Sequence, residues 1–326
     1  MTSGTPVRVH AQLDADARGV STMVSAALAM LVDAARIELV GPMGRPDIVH
    51  TVGDRDRGRP VGAQRVHTVH RLPLRTGRLA PEPSWLRHER RRIGGSATWI
   101  VHGQTAGRLL VQSGVVSTAQ LRCLPLLSPP ELPGSGRGGD RRAATRTQLG
   151  VAPGVKVVLG IEATGADRYR APEWYREPVL ARRRDAVVTV VRPIGPDAYC
   201  VRRSGGGLIG PFALSALLDA ADLFVAASGA LDAWSPGAAA VERGVPVVAA
   251  GSDSSAELVV AGGRGVVTEF GADHVAAAVC AELDAGLPHA RGRLVAEPSR
   301  GCAQLARALL STYRTALLTA TGRRTA

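Results

Sequence analysis

Short apolar runs alternate with segments of helical periodicity through the first part of the chain. Residues 7–11 predict a strand, and residues 20–33 predict a helix because their apolar positions recur at helical spacing. Further predicted strands cover residues 37–40, 47–50, 65–70, 99–102 and 119–125, and a further helix covers 104–113. Strands separated by helices are typical of parallel β-α-β units.

A segment rich in proline and glycine interrupts this alternation at residues 127–140, and its composition is typical of a linker. Beyond it, predicted strands lie at 155–161, 186–192, 198–202, 222–226, 245–250 and 265–268. Predicted helices lie at 141–149, 211–220, 236–243, 255–261, 273–287 and 301–320. The sequence therefore predicts a second α/β domain built like the first.

The predicted division of the chain has four parts. An N-terminal α/β domain covers residues 1–126, a linker covers 127–143, and a C-terminal α/β domain covers 144–300. Residues 301–326 form a closing helix that is expected to pack back toward the N-terminal domain. Open parallel sheets bind ligands beyond the carboxyl ends of their strands, so a cleft between two such sheets is the expected ligand position.

Positive charge is the strongest feature of the composition. The formal net charge is +12, and arginines cluster at residues 87–92, 137–142 and 182–184. Solvated surface charge is one interpretation, and attraction to phosphate-bearing substrates or to an anionic membrane surface is another. Nucleic-acid binding is disfavoured because no known motif or aromatic interleaving accompanies the charge, so no nucleic-acid partner is expected.

The cysteines and the start of the chain predict a location. Cys123, Cys200, Cys280 and Cys302 are too far apart for a Cys-x-x-Cys site, which favours small buried thiols in a reducing compartment. No secretory signal pattern opens the chain, and no apolar run reaches the ~18 residues needed to span a bilayer. A cytoplasmic location is expected, and peripheral contact with the inner face of the plasma membrane stays open.

Several segments of the C-terminal half follow the pattern of one enzyme family in order and spacing. Residues 220–228 read Ala-Ala-Asp-Leu-Phe-Val-Ala-Ala-Ser, and residues 238–249 end in Gly-Val-Pro-Val-Val-Ala. Residues 255–259 contain Ser-Ala-Glu-Leu-Val, residues 263–267 contain Gly-Arg-Gly-Val-Val, and residues 146–150 read Arg-Thr-Gln-Leu-Gly. Together they resemble the retaining GT-B glycosyltransferases of family four, also called group 1 glycosyl transferases.

The N-terminal half resembles the same family at its strand ends. Residues 47–50 resemble its Asp-apolar-Val-His strand end, and residues 68–70 resemble its Thr-x-His-Asp strand end, with Arg71 in the place of Asp. The resemblance implies an α/β GT-B fold, in which two facing Rossmann-like parallel-sheet domains enclose a cleft. It also implies transfer of a hexose from a nucleotide-sugar donor to an unidentified acceptor, with retention and without a metal or another cofactor.

The resemblance implies a nucleotide-sugar site in the C-terminal domain. Glu257 matches the family residue that accepts hydrogen bonds from the ribose hydroxyls, and Ser255 opens the same predicted helix, whose N–H groups can receive phosphate. Arg168 and Arg170 lie near the positions of the family's diphosphate contacts, with solvated loop charge as the alternative. The glycine turn near Gly19 lets the N-terminal backbone approach the ligand.

The catalytic candidates are His70 and Asp232. His70 matches the family histidine that contacts the donor sugar near the reacting centre. The family's two glutamates, eight residues apart, align with Leu231 and Ala239, and neither position is acidic. Asp232 lies one residue from the first position and can replace it if the loop is shifted. Glu242 lies nearly one turn beyond the second position and would need a different backbone position to replace it.

The missing glutamates leave other functions open. A degenerate GT-B protein could bind nucleotides or act as the partner subunit of an active transferase, and another nucleotide-sugar chemistry such as epimerisation is a third possibility. The strings Asp14-Ala-Asp16 and Asp54-Arg-Asp56 are interpreted as solvated loop charge and not as a metal clamp. Residues 85–93 predict a basic surface helix that docks on an anionic membrane, where a lipid-linked acceptor would lie.

Overall fold

The computed structural model describes residues 5–14, 18–53, 62–74, 81–93, 98–124, 139–161, 173–195, 198–202, 208–226, 230–232, 236–250, 256–260, 264–269, 271–285 and 298–324. Their strands form a six-stranded sheet, a seven-stranded sheet and a two-stranded ladder. The six-stranded sheet comes from the N-terminal part of the chain and the seven-stranded sheet from the C-terminal part. The structure therefore has the two α/β sheets that the pattern predicts.

The N-terminal sheet is parallel throughout. Its strands are β1 (Val7–Leu13), β2 (Ile37–Leu39), β3 (Ile48–Val52), β4 (Gln64–Thr68), β6 (Thr98–His102) and β7 (Leu121–Leu124), and β5 (Arg71–Pro73) lies outside it. The strand order is β2-β1-β3-β4-β6-β7. Every residue of β3 is buried, as expected for a central parallel strand covered on both faces.

Helices from both ends of the chain cover the N-terminal sheet. These are α1 (Arg18–Asp33), α2 (Pro83–Ile93), α3 (Gln104–Gln112) and the closing helix α10 (Pro298–Arg324). Val24 and Leu28 of α1 share one core with Leu309 and Tyr313 of α10, and each is at most 2% exposed. A second core surrounds Trp99 and includes side chains of α2 and α3. Helix α10 therefore packs in the N-terminal core.

The C-terminal sheet combines a parallel half with an antiparallel edge. Its strands are β8 (Lys156–Ile161), β9 (Ala186–Gly195), β10 (Ala198–Arg202), β11 (Leu208–Phe212), β12 (Leu223–Ala226), β14 (Val247–Ala250) and β15 (Gly265–Thr268). The order is β11-β10-β9-β8-β12-β14-β15, with β10 and β11 antiparallel to their neighbours. The flanking helices are α4 (Gly139–Gln148), α5 (Glu173–Arg182), α6 (Leu214–Ala220), α7 (Pro236–Glu242), α8 (Ala256–Val260) and α9 (Ala272–Asp284).

Several predicted elements differ from the observed ones. The predicted strand 65–70 ends at Thr68, and β5 begins separately at Arg71. The predicted helix 211–220 starts only at Leu214, because the residues before it pair with β10 as β11. Helix α1 begins at Arg18, so Gly19 lies in its first turn and not at a junction before it. The pattern missed α5, β5 and the short strand β13 (Ala230–Asp232).

An arginine clamp fastens α4 to the C-terminal sheet. Arg142 Nη2 lies 2.8 Å from Asp222 Oδ1, and Arg146 Nη1 lies 3.0 Å from Asp222 Oδ2. The N–H of Val157 in β8 donates to the same Oδ2 at 2.7 Å. Arg146, from the segment 146–150, and Asp222, from the segment 220–228, are therefore partners. Their ion pair explains why these two family-like segments occur together.

Candidate functional site

Strands of the N-terminal sheet bring separate parts of the sequence to one edge. Asp14 follows β1, Gly53 follows β3, His70 lies two residues beyond β4, and Gly103 follows β6. These strands are parallel and hydrogen-bonded in register, so their carboxyl ends share an edge. In an open parallel sheet this edge is where ligands bind.

A close backbone approach fixes the turn after β1. Gly53 has φ +89°, and a Cβ there would lie 2.4 Å from the Asp14 Cβ, so only glycine fits. The Ser21 hydroxyl donates to the Asp14 carbonyl oxygen at 2.8 Å, which ties α1 to the same turn. Asp14 is 4% exposed, which corrects the expectation of a solvated loop charge. The start of α1, with Gly19 in its first turn, is thereby held at the sheet edge.

A two-stranded ladder joins the domains next to His70. His70 is half-buried and directly precedes β5, and β5 pairs antiparallel with β13 of the C-terminal part. In the register of this ladder, the Cα of Asp232 pairs with that of Arg71 and the Cα of Leu231 with that of Leu72. The two catalytic candidates are far apart in the sequence and therefore meet only through neighbouring backbone segments of this ladder.

Glu257 makes a second contact between the domains. It lies in the first turn of α8 and reaches α3, where Oε2 accepts from the Gln104 N–H at 2.8 Å and Oε1 from the Thr105 N–H at 2.6 Å. The N-cap of α3 is Gly103, which makes no side-chain capping bond. A carboxylate at this position satisfies two otherwise unpaired N–H groups and complements the helix dipole. The ribose candidate is therefore engaged at the domain boundary.

Gly103 makes room for this carboxylate. Its φ is +91°, and a Cβ on it would lie 3.2 Å and 3.3 Å from the two carboxylate oxygens of Glu257. Its N–H donates to the Leu124 carbonyl oxygen at 3.0 Å, which anchors the turn to β7. This arrangement was not predicted from the sequence. The available signal is that α3 starts without Ser, Thr, Asp or Asn at its N-cap, which indicates a cap from elsewhere.

Among the cysteines, Cys123 lies near the site. Burial raises the pKa of the Cys123 thiol, and the charge of Glu257 raises it further. Cys302 is buried in the N-terminal core, whereas Cys123, Cys200 and Cys280 are half-buried, so the prediction of buried thiols is correct only for Cys302.

Buried histidines behind the edge hold the fold together. His50 is fully buried; its Nδ1 lies 2.7 Å from Tyr313 Oη, and its Nε2 lies 2.8 Å from Thr68 Oγ1. Burial, together with the smaller effect of nearby His102, lowers the pKa of His50 to about 3. A neutral imidazole donates one of these hydrogen bonds and accepts the other. His50 therefore links β3 and β4 to α10.

A second buried histidine anchors the basic helix. His67 Nδ1 lies 2.9 Å from Thr51 Oγ1, and its Nε2 lies 3.6 Å from Glu89 Oε2. Glu89 on α2 is buried, whereas Arg87, Arg90 and Arg91 on the same helix are exposed. The His67–Glu89 pair holds one side of α2 against the sheet while these three arginines face solvent.

Some candidates lie outside the described residues. These are Arg168, Arg170 and Ser255, together with Asp16 and Asp54–Asp56 of the acidic strings. Within the described part of the chain, no group of three or more His, Cys, Asp or Glu side chains is placed to hold a metal ion.

Comparison with known proteins identifies the architecture. No protein-family model matches the chain, and no curated protein matches it in sequence. A glycosyltransferase from Rickettsia africae superposes with a TM-score of 0.59 at 11% identity, covering 96% of this chain and 99% of that one. WaaG, a glycosyltransferase involved in lipopolysaccharide biosynthesis, gives 0.58 at 14% identity, covering 95% and 98%. Sucrose-phosphate synthase from Thermosynechococcus elongatus gives 0.55 at 17% identity, covering 92% and 79%.

These similarities cover both domains of the chain, and at such low identity they concern the fold alone. The two Rossmann-like sheets, the inter-domain contacts at their edge and the neighbouring structures agree with one architecture. The protein has the α/β GT-B fold, two Rossmann-like domains that face each other across a cleft.

Proposed function

We propose that the protein transfers a hexose from a nucleotide-sugar donor to an acceptor, with retention at the anomeric carbon. The GT-B fold supports this function, and the observation that carries it is the pair of hydrogen bonds that the Glu257 carboxylate accepts. Its two carboxylate oxygens hold two adjacent donors at 2.6 and 2.8 Å. The vicinal hydroxyls of a ribose present the same kind of donor pair, so Glu257 is suited to the nucleotide.

The donor diphosphate would lie between helix starts and arginines. The first turn of α1 contains Gly19 and no acidic residue, so its N–H groups suit a phosphate. We assign Arg168, Arg170 and Ser255 to the same diphosphate. Guanidinium groups and helix N–H groups stabilise the negative charge that develops on the leaving diphosphate, and this assistance needs neither a metal nor another cofactor.

The sugar would lie beside the inter-domain ladder. His70 precedes β5, and the ladder places Asp232 opposite its neighbour Arg71. We assign His70 to contact with the sugar near the transferred carbon. We assign Asp232 to the acidic role that the family's first glutamate would have, because β13 brings this segment to the N-terminal domain.

The acceptor side includes the basic helix α2. Arg87, Arg90 and Arg91 are exposed there, beside half-buried Trp85 and Leu86. In the described part of the chain, no helix is long and apolar enough to cross a membrane. We propose that α2 docks on an anionic membrane surface, since each basic residue near such a surface contributes about 1 kcal/mol. An acceptor carried on a lipid would then meet the cleft.

A degenerate nucleotide-binding GT-B protein is the second candidate. Ala239, which aligns with the family's second glutamate, is 6% exposed and packs in the apolar core of the C-terminal domain. No carboxylate is available at that position, which favours binding without turnover.

Calorimetric titration with UDP-, GDP- and ADP-sugars, paired with a donor-hydrolysis assay, separates these functions. Heat of binding together with slow hydrolysis of one donor is the result expected of a transferase. Heat without hydrolysis, or with hydrolysis only after another transferase is added, supports the degenerate protein. The absence of both for every donor would remove the nucleotide-sugar function.

A further inference from the structure

We propose that Glu257 is a latch with two alternative partners. In the arrangement observed here it holds the domains together by capping α3, and a nucleotide must displace the α3 amides before its ribose can bind the same carboxylate. The proposal rests on the proposed nucleotide site. It adds that nucleotide binding and the release of one inter-domain contact are a single event.

Helix α3 depends on Glu257 for its N-terminal cap. The helix has nine residues, its N-cap is Gly103, and no acidic residue lies in its first turn. The Gln104 and Thr105 N–H groups have no earlier turn to bond to, and both donate to Glu257 across the domain boundary. The cap of an N-terminal-domain helix is therefore supplied by the C-terminal domain.

The two partners compete for the same two oxygens. Each oxygen of Glu257 already accepts from one of two adjacent N–H groups. A vicinal diol is a donor pair of the same kind and would use the same two oxygens. The Gly103 backbone limits the space beside them, because a Cβ on Gly103 would lie only 3.2 Å from Oε2.

The ladder between the domains remains when the Glu257 contact is lost. The ladder between β5 and β13 lies beside His70 and does not include Glu257 or α3. Loss of the Glu257 contact therefore removes one inter-domain connection and leaves the ladder in place. The ladder keeps the segment of Asp232 on the N-terminal domain while the nucleotide end of the cleft is released.

A substitution can remove one latch hydrogen bond without touching Glu257. Gln104 is the first residue of α3, a position where proline is tolerated and lacks only the N–H. Gln104→Pro therefore deletes the donor to Oε2, and Gln104→Ala removes the same side chain but keeps that donor. The lost hydrogen bond should contribute about as much free energy as a charge at a helix terminus. Gln104→Pro should therefore bind UDP, GDP or ADP about two- to fivefold more tightly than Gln104→Ala.

Hydrogen exchange gives the second, independent measurement. The bound nucleotide should accelerate exchange of the Thr105 amide in the wild-type chain, although ligands usually protect the residues near them. Glu257→Gln should accelerate the same amide without a nucleotide. Tighter binding by Gln104→Pro together with faster Thr105 exchange is the expected result.

The outcomes separate the latch from the function on which it rests. If none of the variants binds any nucleotide, the proposed function fails, and the competition fails with it. If the nucleotides bind but Gln104→Pro has the affinity of Gln104→Ala or a weaker one, the latch is overturned and the function stands. Slower or unchanged Thr105 exchange on nucleotide binding overturns it equally. If Gln104→Pro does not fold, the exchange measurement on the wild-type chain decides alone.

Discussion

Two carboxylates of the C-terminal domain bind backbone N–H groups in very different surroundings. Asp222 accepts from Val157 and is also held by Arg142 and Arg146 within its own domain. Glu257 accepts from two amides of the other domain, and none of the described arginines forms an ion pair with it. A carboxylate clamped by two cations has one stable position, whereas one held only by amides can exchange partners. Asp222 is therefore a charge fixed within its own domain, and Glu257 is the one that suits the proposed exchange of partners.

The largest expected effect is on stability at Asp222. Its side chain is 14% exposed, so Asp222→Ala leaves two arginines and an amide without their shared acceptor. We expect the free energy of unfolding in urea to fall by about 3 kcal/mol, the lower end for breaking a buried ion pair. Asp185→Ala is the control, since Asp185 pairs with Arg183 at an exposed position and its loss should lower stability far less. Equal losses for both would show that the clamp is ordinary surface charge.

Glu257 should show the opposite behaviour. Glu257→Gln weakens charge-assisted hydrogen bonds to the ribose, so nucleotide affinity should fall by about one to two orders of magnitude in calorimetry. The free energy of unfolding should change by no more than about 1 kcal/mol. Glu269→Gln, at an exposed carboxylate, should change neither quantity. A variant of Glu257 that loses stability yet keeps full nucleotide affinity would contradict the ribose assignment.

The N-terminal domain holds α10 through the neutral side chain of His50, and not through an ion pair like that of Asp222. The pH dependence of stability should reveal this difference. The pKa of His50 is lowered to about 3 in the folded chain, against about 6.5 when unfolded. The unfolded chain therefore binds more protons between these values, and stability is lost as pH falls through 6.5, with a slope that approaches about 1.4 kcal/mol per unit well below 6.5. Urea unfolding at pH 6.5 and 5.5 measures the loss, which should be about 1 kcal/mol because His50 is half protonated in the unfolded chain at pH 6.5. His50→Asn should lose this share of the pH dependence, and His274→Asn, at an exposed histidine, should retain it.

The smallest effect concerns an exposed arginine of α2 for which the described part of the chain shows no ion pair. Arg90 on α2 is exposed, and Arg90→Ala should weaken binding to anionic liposomes about fivefold, the equivalent of about 1 kcal/mol. Arg182→Ala, whose guanidinium pairs with Asp273 elsewhere on the surface, should bind like the wild-type chain. Equal binding of the wild-type chain to neutral and anionic liposomes would eliminate membrane docking through α2.

The sequence predicted the elements that a local pattern can encode. Apolar runs such as 156–161 and 247–250 became central strands because parallel strands buried on both faces are apolar throughout. The family-like segments at 146–150 and 220–228 contain the two sides of the arginine clamp. Strands β5 and β13 have three residues each, too few to show any periodicity, so only their pairing across the domain boundary defines them.

Long-range partners account for the rest of what the sequence did not show. Glu257 lies at a helix start as the sequence predicts, but its α3 partners lie about 150 residues away and contribute only backbone. Likewise, His50 meets Tyr313 across 263 residues, and nothing near either residue indicates the other. Such contacts depend on which helices the two sheets bring together, and a local window contains no information about that.

The position of α10 has a consequence for how the protein is made. Leu309 and Tyr313 complete the core of the N-terminal domain, yet they follow the whole C-terminal domain in the chain. Domains generally fold in order as they leave the ribosome, at about 5–20 residues per second. Here the first domain to emerge would wait, with the face that α10 covers still open, until the second has been synthesised. During that interval of roughly ten seconds or more the nascent chain should be a chaperone client.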